Sequence, residues 1–309
     1  MIIKIFLETA GSFDEREILT KFYHGIKSSA GTDTQVDLEL YNTYSPCDVG
    51  VILGSWKPRD KNHHNVRNDV VENAPCFIVV ETPLLGRVVS SQHAQHRIGI
   101  NGFLNHAGRF NYGDHDDSRL NTLGIKWEGW NQNPQGHILL MLQLPGDASL
   151  RGANLYEWTR HAVDRIRAVT KRPIVIRTHP AHSIKDSDEF HYLVSSLTVF
   201  GGHTKIRFSL GKYQSFADDI KDAFCSVSYS SGSSIDSVLA GVPTVAADPA
   251  NFAWDISTNY LNEIENVALA EPEQVQQWLN NLSYSQWSPE EMYNGTAWQH
   301  LARFFNTNE

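Results

Sequence analysis

Residues 226–249 read Ser-Val-Ser-Tyr-Ser-Ser-Gly-Ser-Ser-Ile-Asp-Ser-Val-Leu-Ala-Gly-Val-Pro-Thr-Val-Ala-Ala-Asp-Pro. Four elements follow one another in and around this run. Phe224 to Tyr229 is a short, mostly small and apolar strand, and Ser230 to Ser234 is a turn around Gly232. Ile235 to Ala240 is a helix with Asp236 in its first turn, and Thr244 to Ala247 opens another buried strand. Gly241 and Pro243 stop the helix, as Gly just past a helix and Pro beyond it do. A strand, a Gly/Ser turn and a helix N-terminus together make an anion site. The turn lets backbone N–H groups face a ligand, and the helix dipole favours negative charge there. Serine hydroxyls add donors, and a carboxylate one turn into the helix suits a ribose diol, as in dinucleotide-binding folds. This chemistry fits a nucleotide diphosphate. A Ser-rich cap on an ordinary βα unit accounts for the same residues.

Working outward, the alternation recurs. His137 to Leu142, the run from Pro173 and Lys205 to Ser209 read as strands. Between and after them, Leu155 to Thr170 places Trp158, Ala162, Ile166 and Val169 about one helical turn apart. Phe190 to Leu197, Ser215 to Ala223 and Pro272 to Leu282 also read as helices. In the first half, strands are expected at Ile2 to Leu7, Val36 to Tyr41, Val49 to Leu53 and Phe77 to Val80, with helices at Asp14 to Ser28 and Val66 to Val71. Strands that alternate with helices and end in polar loops define an α/β fold of doubly wound parallel sheets. Ligands then bind beyond the carboxyl ends of the strands, which puts Glu8, Trp56 and Glu81 on one rim. Residues 81–110 are too polar for core and too interrupted for a helix, and read as loop. The turn-rich stretch 111–135 holds the boundary. The expected domains are a Rossmann-like domain over 1–132, a second over 133–285 and a C-terminal helix over 286–309. That helix starts with Ser288 as cap and Pro289 in the first turn.

Length and composition bound the function. The chain has 309 residues, 41% of them hydrophobic, with eight Trp, enough for two real cores. No run approaches the ~18 apolar residues of a membrane helix, and Met1 to Leu7 is too short for a signal peptide and reads as a strand. Cys47, Cys76 and Cys225 are odd in number and lack metal-type spacing, which points to a reducing, cytoplasmic compartment. A net charge of −9 argues against a basic nucleic-acid coat, though not against a local basic groove.

Several clusters carry alternative readings. Glu81 at a strand end is the first candidate for a general base, with Asp14, Glu8 and His106 behind it; Glu81 as a cap or as an ion pair with Arg87 is the other reading. Arg87 faces a phosphate or that carboxylate. Lys57, Arg59, Lys61 and Arg67, with Arg87, Arg97 and Arg109, either line a phosphate backbone or form a solvated loop. Asn101 and Asn105 are acceptor contacts or turn residues. The Asp-His-Asp-Asp run at 114–117 is too compact in sequence for a standard cation site and reads as a surface turn.

The segment Ser-Ser-Gly-Ser-Ser-Ile-Asp-x-x-x-x-Gly-Val-Pro (230–243) resembles the donor-binding motif of the C-terminal domain of GT-B glycosyltransferases. The nearest flavour is that of capsule-polysaccharide and Kdo transferases and of related glycosyltransferases encoded by bacteriophages. Gln143-Leu-Pro-Gly-Asp-Ala-Ser-Leu-Arg151 is similar to a loop beside the donor in such proteins, and Arg177-Thr-His-Pro180 resembles the Arg-Pro-His-Pro strand end of the Kdo type. The resemblance implies two Rossmann-like domains with a cleft between them and a nucleotide-sugar donor, UDP-linked by preference. It implies donor binding by Asp147, Ser149, Arg151, Arg177, His179, Ser231, Gly232, Ser233, Ser234 and Asp236, with His179 and Arg177 donating to the diphosphate leaving group. It also implies work without a cofactor or metal, and a hydroxyl acceptor held near Arg87, Asn101, Lys57 and Arg59. The bacteriophage flavour points to a hydroxymethylated pyrimidine in double-stranded DNA as acceptor, with a saccharide as the rival. A sugar-nucleotide 2-epimerase on the same fold and a catalytically silent nucleotide- or nucleic-acid-binding protein are the other classes.

Overall fold

The computed structural model describes residues 1–7, 13–40, 43–56, 66–86, 95–182, 188–200 and 205–306. The chain divides into two compact units, Met1–Ile125 with Gln277–Glu309 and Lys126–Gln276.

Unit 1 starts with β1 (Ile2–Phe6), α1 (Phe13–Ser29), β2 (Gln35–Glu39), β3 (Val49–Leu53), α2 (Val66–Asn73) and β4 (Cys76–Glu81). Then come β5 (His96–Ile100) and α3 (Ser118–Thr122). Its sheet has the order β11-β5-β4-β3-β1-β2, where β11 is Gln286–Trp287 from the far end of the chain. The pairs among β1 to β4 are parallel, while β5 pairs antiparallel with both β4 and β11. That strand corrects the expectation of loop throughout 81–110. Its polar start hides an apolar body: Ile98 and Ile100 are buried, and a Cβ on Gly99 would lie 2.1 Å from the Gly102 carbonyl oxygen. Only glycine permits that backbone approach. Arg97, expected on a phosphate-binding surface, is 8% exposed, with its guanidinium 5.9 Å from the Phe103 ring centre.

In unit 2, β6 (His137–Met141), α4 (Leu155–Val169), β7 (Ile174–Arg177), α5 (Asp188–Ser195) and β8 (Ile206–Ser209) come first. They are followed by α6 (Phe216–Ile220), β9 (Ala223–Ser228), α7 (Ser233–Leu239) and β10 (Thr244–Ala246). The sheet order is β10-β9-β6-β7-β8, parallel throughout. Successive strands run outward from β6 to β8, then the chain returns to the other side of β6 for β9 and β10. This is the half-sheet of a Rossmann fold, and its strand order reverses between β6 and β9. Period-two alternation sorts the side chains. Ile138, Leu140, Ile174 and Ile176 pack with Val163 and Ile166 of α4 on one face. Leu139, Met141 and Val175 pack with Ile220 of α6 on the other. The chain ends with α8 (Pro272–Ser283), α9 (Pro289–Tyr293) and α10 (Thr296–Asn306). The single last helix expected from sequence is thus two, broken at Gly295, whose φ is +86°. Met292, Trp298 and Leu301 enter the core of unit 1 with Ile3, Phe22 and Ile26. Among the described residues, no helix is long and apolar enough to cross a membrane.

Candidate functional site

Three loops at the carboxyl end of unit 2's sheet hold most of the residues singled out above, and two buried carboxamides build them into one structure. Gln143, two residues beyond the end of β6, is 6% exposed. Its Nε2 donates to Ser149 Oγ and to Ser230 Oγ (3.0 Å), and its Oε1 accepts from the Ser230 N–H at 3.3 Å. Ser230 Oγ then donates to the Ser149 carbonyl at 2.6 Å. The loops after β6 and β9 are therefore stitched together where the strand order reverses. Asn251 does the same between β9 and the segment after β10. It is fully buried; its Nδ2 donates to Ser228 Oγ (2.9 Å) and to the Tyr229 carbonyl (3.2 Å). Its Oδ1 accepts from Ser234 Oγ (2.6 Å) and from the Ala253 N–H (3.0 Å). Neither carboxamide was assigned a role from sequence. For Gln143 the available signal was a polar residue at the end of an apolar run, where a buried amide must find partners; Asn251, five residues beyond β10, carried no such signal.

The serine turn is ordered from within. Ser231 Oγ accepts from the N–H and the hydroxyl of Ser233, at 3.2 and 2.8 Å. The N–H groups of Ser234 and Ile235 turn back to the carbonyls of Ser231 and Gly232. Among the described residues, no acceptor meets the N–H groups of Ser231 and Gly232. Gly232 has φ −65° and ψ −9°, an ordinary right-handed conformation that any residue adopts. Asp236 lies one turn into α7, half-buried.

The loop after β6 turns on a cap. Asp147 Oδ1 accepts from the Ser149 N–H (2.8 Å) and hydroxyl, starting the 3₁₀ turn Ala148–Leu150. Arg151, at φ +50°, gives Nη2 to both oxygens of Asp248, which is 8% exposed. α4 itself is capped by Asn154, not by Asp147 or Ser149. Burial, with Asp248 alongside, pushes the Tyr229 phenol above its ordinary pKa.

At the end of β7, the two residues read together from sequence take different positions. Arg177 is 7% exposed, and its Nη1 donates to Asp219 Oδ2 (2.6 Å) and to the carbonyls of Gln214 (3.0 Å) and Ser215 (3.3 Å). Its charge is matched by Asp219 and its donors hold the loop after β8. His179 is half-buried, and its Nδ1 accepts from the Ala181 N–H at 3.1 Å. That bond leaves the ring proton of the neutral imidazole on Nε2, a donor. The loop after β8 lies directly alongside: a Cβ on Gly211 would come within 2.2 Å of the Thr178 carbonyl oxygen. This loop carries Lys212 and the exposed Tyr213.

Other candidates belong to unit 1. Glu81 ends β4, pairs in register with Arg97, and accepts from the Thr82 N–H at 2.8 Å. Asn101, at φ +58°, accepts from the Phe77 N–H at 2.9 Å, so its carboxamide oxygen ties the end of β5 to β4. His106 is exposed at φ +55°. In the 114–117 run, the His115 ring stacks on Tyr284 at 4.1 Å, and Asp116 accepts from Ser118 and the Tyr284 hydroxyl. Glu8, Lys57, Arg59, Arg87 and the side chain of Asp14 lie outside the described residues.

No protein-family model matches the chain, and no curated protein matches it in sequence. Solved structures do match. The β-Kdo 2,7 transferase of Thermosulfurimonas dismutans KpsC covers 97% of this chain and 99% of its own, at 11% identity and a TM-score of 0.52. The β-Kdo 2,4 transferase of the same organism's KpsC covers 92% and 90%, at 12% identity and a TM-score of 0.51. A UDP-GlcNAc 2-epimerase of Methanocaldococcus jannaschii aligns over 99% of both chains with 13% identity, but its TM-score of 0.32 bears no weight. At this level of identity the likeness to the two transferases concerns the fold, which is α/β with two Rossmann-like sheets of the GT-B kind.

Proposed function

We propose that this chain is a glycosyltransferase that moves a sugar from a nucleoside-diphosphate sugar, UDP-linked by preference, to a hydroxyl acceptor. One observation carries the reading: where unit 2's strand order reverses, the Ser231 and Gly232 N–H groups meet no acceptor among the described residues, in a turn braced by Gln143 and Asn251. Open N–H groups beside a helix start favour a diphosphate. His179 adds an Nε2–H donor from the next loop but one, and Asp236 supplies an acceptor for the ribose. The Arg151–Asp248 pair borders the turn through Tyr229. Arg177 acts here through the loop it holds and not by touching the donor.

In the reaction, the acceptor oxygen forms a bond to the anomeric carbon as the bond from that carbon to the diphosphate oxygen breaks. The acceptor proton passes to a general base. The negative charge that develops on the departing diphosphate is met by the Ser231 and Gly232 N–H groups and the His179 Nε2–H. Donors fixed in place before the reaction stabilise that charge without reorganisation.

The test is a thermal-shift panel of nucleoside diphosphates and sugar nucleotides, since a ligand that binds only the folded chain raises its melting temperature. One sugar nucleotide is expected to shift the transition selectively, and His179→Ala and Asp236→Ala are each expected to weaken it. Unchanged affinity in both variants would sink the assignment. The acceptor is then read by transfer of labelled sugar to oligosaccharides and to duplex DNA containing 5-hydroxymethylcytosine.

A further inference from the structure

Among the described residues, the sheet face on which α6 packs is covered only in part. α6 has five residues, a length of about 7.5 Å, whereas strands of four or five residues such as β6, β7 and β8 run about 13–16 Å. The opposite face carries the fifteen-residue α4. At the amino ends of the strands, on the side where Val175 meets α6, part of this face is an open cavity of about 400 Å³, while α7 covers another part, its Ser237 Oγ lying 3.8 Å from Met141 Sδ. Its walls include Asn133, Gln135, His137, Lys205, Arg207 and Asp222. It lies at the opposite end of the strands from the serine turn and His179.

The groups converging there have a definite chemistry. Asp219 faces two arginines: its Oδ2 is 2.6 Å from Arg177 Nη1, and its Oδ1 is 3.6 Å from Arg207 Nη2. One carboxylate neutralises one guanidinium, and the buried Arg177 holds the shorter contact. Arg207, with 58% of its side chain exposed, therefore retains net positive charge at the cavity wall, and Lys205 adds a second. His137 Nε2 donates to the Asp219 carbonyl at 2.9 Å, and burial lowers the ring's pKa. Its Nδ1 is then an acceptor. Asn133 Oδ1 already accepts from the Gln135 N–H at 3.0 Å, which leaves its amide as a donor. Two cations, two carboxamides, one neutral imidazole and the Asp222 carboxylate suit a ligand with one anionic group and several hydroxyls. The volume lies within the range of roughly 300–1,000 Å³ usual for small-molecule sites.

We propose that this cavity is a second ligand site, separate from the donor loops, that takes a phosphorylated sugar of hexose size. The phosphate pairs with Arg207 and Lys205. The hydroxyls bond to Asn133, Gln135, the His137 Nδ1 and Asp222.

The probe is glucose 6-phosphate, titrated by calorimetry into the full chain with saturating uridine diphosphate present, so that the other end of the sheet is not measured. Glucose and inorganic phosphate are titrated separately. Glucose 6-phosphate is expected to bind at one site at least about tenfold more tightly than either part alone, because charge-assisted and neutral hydrogen bonds then act together. The double variant Lys205→Gln with Arg207→Gln is expected to weaken it at least about tenfold while the melting temperature stays unchanged. Nitrogen-15 signals of the His137 ring in the unmutated chain give an independent reading and are expected to move along the titration. No saturable binding below about 10 mM, equal affinity for phosphate alone, full binding by the double variant, or a motionless His137 signal would each overturn the site.

Discussion

In unit 2 the loops after β6, β9 and β10 are held by Gln143 and Asn251, whereas in unit 1 the segment 110–119 and the helices after it are held by Arg119, Glu291, His115 and His300. These two braces are neutral, and the ion pair that also joins the loops after β6 and β10, Arg151 with Asp248, cancels its own charge. Each carboxamide offers donors and an acceptor together, so it satisfies several loop groups without placing a charge beside them. The second set is charged and aromatic. The Arg119 guanidinium lies 4.1 Å from the Trp287 ring centre, donates to the Ser283 and Gln286 carbonyls (3.1 and 2.7 Å), and forms an ion pair with Glu291. The His300 ring stands 5.0 Å from both Tyr112 and Trp287. The difference teaches where a charge can be fixed within a fold. A packing seam carries its own counter-charges. A turn proposed to receive a diphosphate keeps its N–H dipoles uncancelled only if the side chains that bond to it are neutral.

The comparison breaks most visibly if the charged seam is cut. Arg119→Ala removes the cation over Trp287 and leaves Glu291 in a partly buried site without its counter-ion. The expected loss of stability is about 3–5 kcal/mol, read from guanidinium unfolding followed by tryptophan fluorescence. A loss below about 1 kcal/mol, the scale of an exposed pair, would mean that apolar packing alone closes unit 1.

Acid should find the same seam. Burial holds the His300 imidazole at about 4, well below its ordinary 6.5. Between those values the unfolded chain binds a proton that the folded chain refuses. Stability is therefore complete above about pH 6.5 and falls by ~3 kcal/mol as the pH drops to about 4. Glu291 acts at lower pH in the same direction: burial pushes its carboxyl up, but Arg119 and Ser288 hold it below the ordinary value overall. Melting curves from pH 7 to 4 for the wild type and His300→Gln should diverge, with the variant flatter. Parallel curves would remove His300 from the account.

How far these features were legible in the sequence follows from their physics. Period-two and helical spacing located β3, β6 and α4 to within a residue or two, because each has one continuous buried stripe. β5 was hidden: His96 and Arg97 open it, Gly99 interrupts it, and only the approach of the Gly102 carbonyl explains that glycine. The serine turn could be read as a candidate site because strand, glycine and helix lie consecutively. Its braces could not, since Gln143 and Asn251 act over separations of 87 and 23 residues. Arg177 and His179 were read as one pair from adjacent sequence. The division of labour between them depends on Asp219, a partner 42 residues away.

A smaller effect tests the neutral braces. Asn251→Ala leaves the Ala253 N–H and the Tyr229 carbonyl without their side-chain partner in a buried site, at a cost of about 2 kcal/mol. It should also weaken nucleotide binding, because the serine turn loses the acceptor of Ser234. Asn251→Asp keeps the acceptor and adds a charge. If neutrality matters as argued, Asn251→Asp should bind nucleoside diphosphates less tightly than Asn251→Ala, even where its melting temperature is the higher of the two. The reverse order in calorimetry would show that bracing alone counts.

The smallest effect on stability is the sharpest on the site. Gly232 sits at φ −65° and ψ −9°, so its backbone gives no reason for a glycine. Gly232→Ala places a methyl group in a conformation it readily adopts, and the narrowed unfolded ensemble adds about 0.4–1 kcal/mol of stability where the native geometry is compatible. A diphosphate bound against the Ser231 and Gly232 N–H groups would meet that methyl group. The expected variant is as stable as the wild type, or slightly more so, with nucleoside-diphosphate affinity down by at least about tenfold, or 1.4 kcal/mol. Gln143→Leu removes the brace between the loops after β6 and β9 while leaving Gly232 untouched, and so should lower stability and affinity together. Separation of the two effects in Gly232→Ala and their coupling in Gln143→Leu would locate the ligand at the turn itself. If Gly232→Ala binds as the wild type does, the glycine serves neither backbone nor ligand, and the anion must be sought at another loop of the same sheet end.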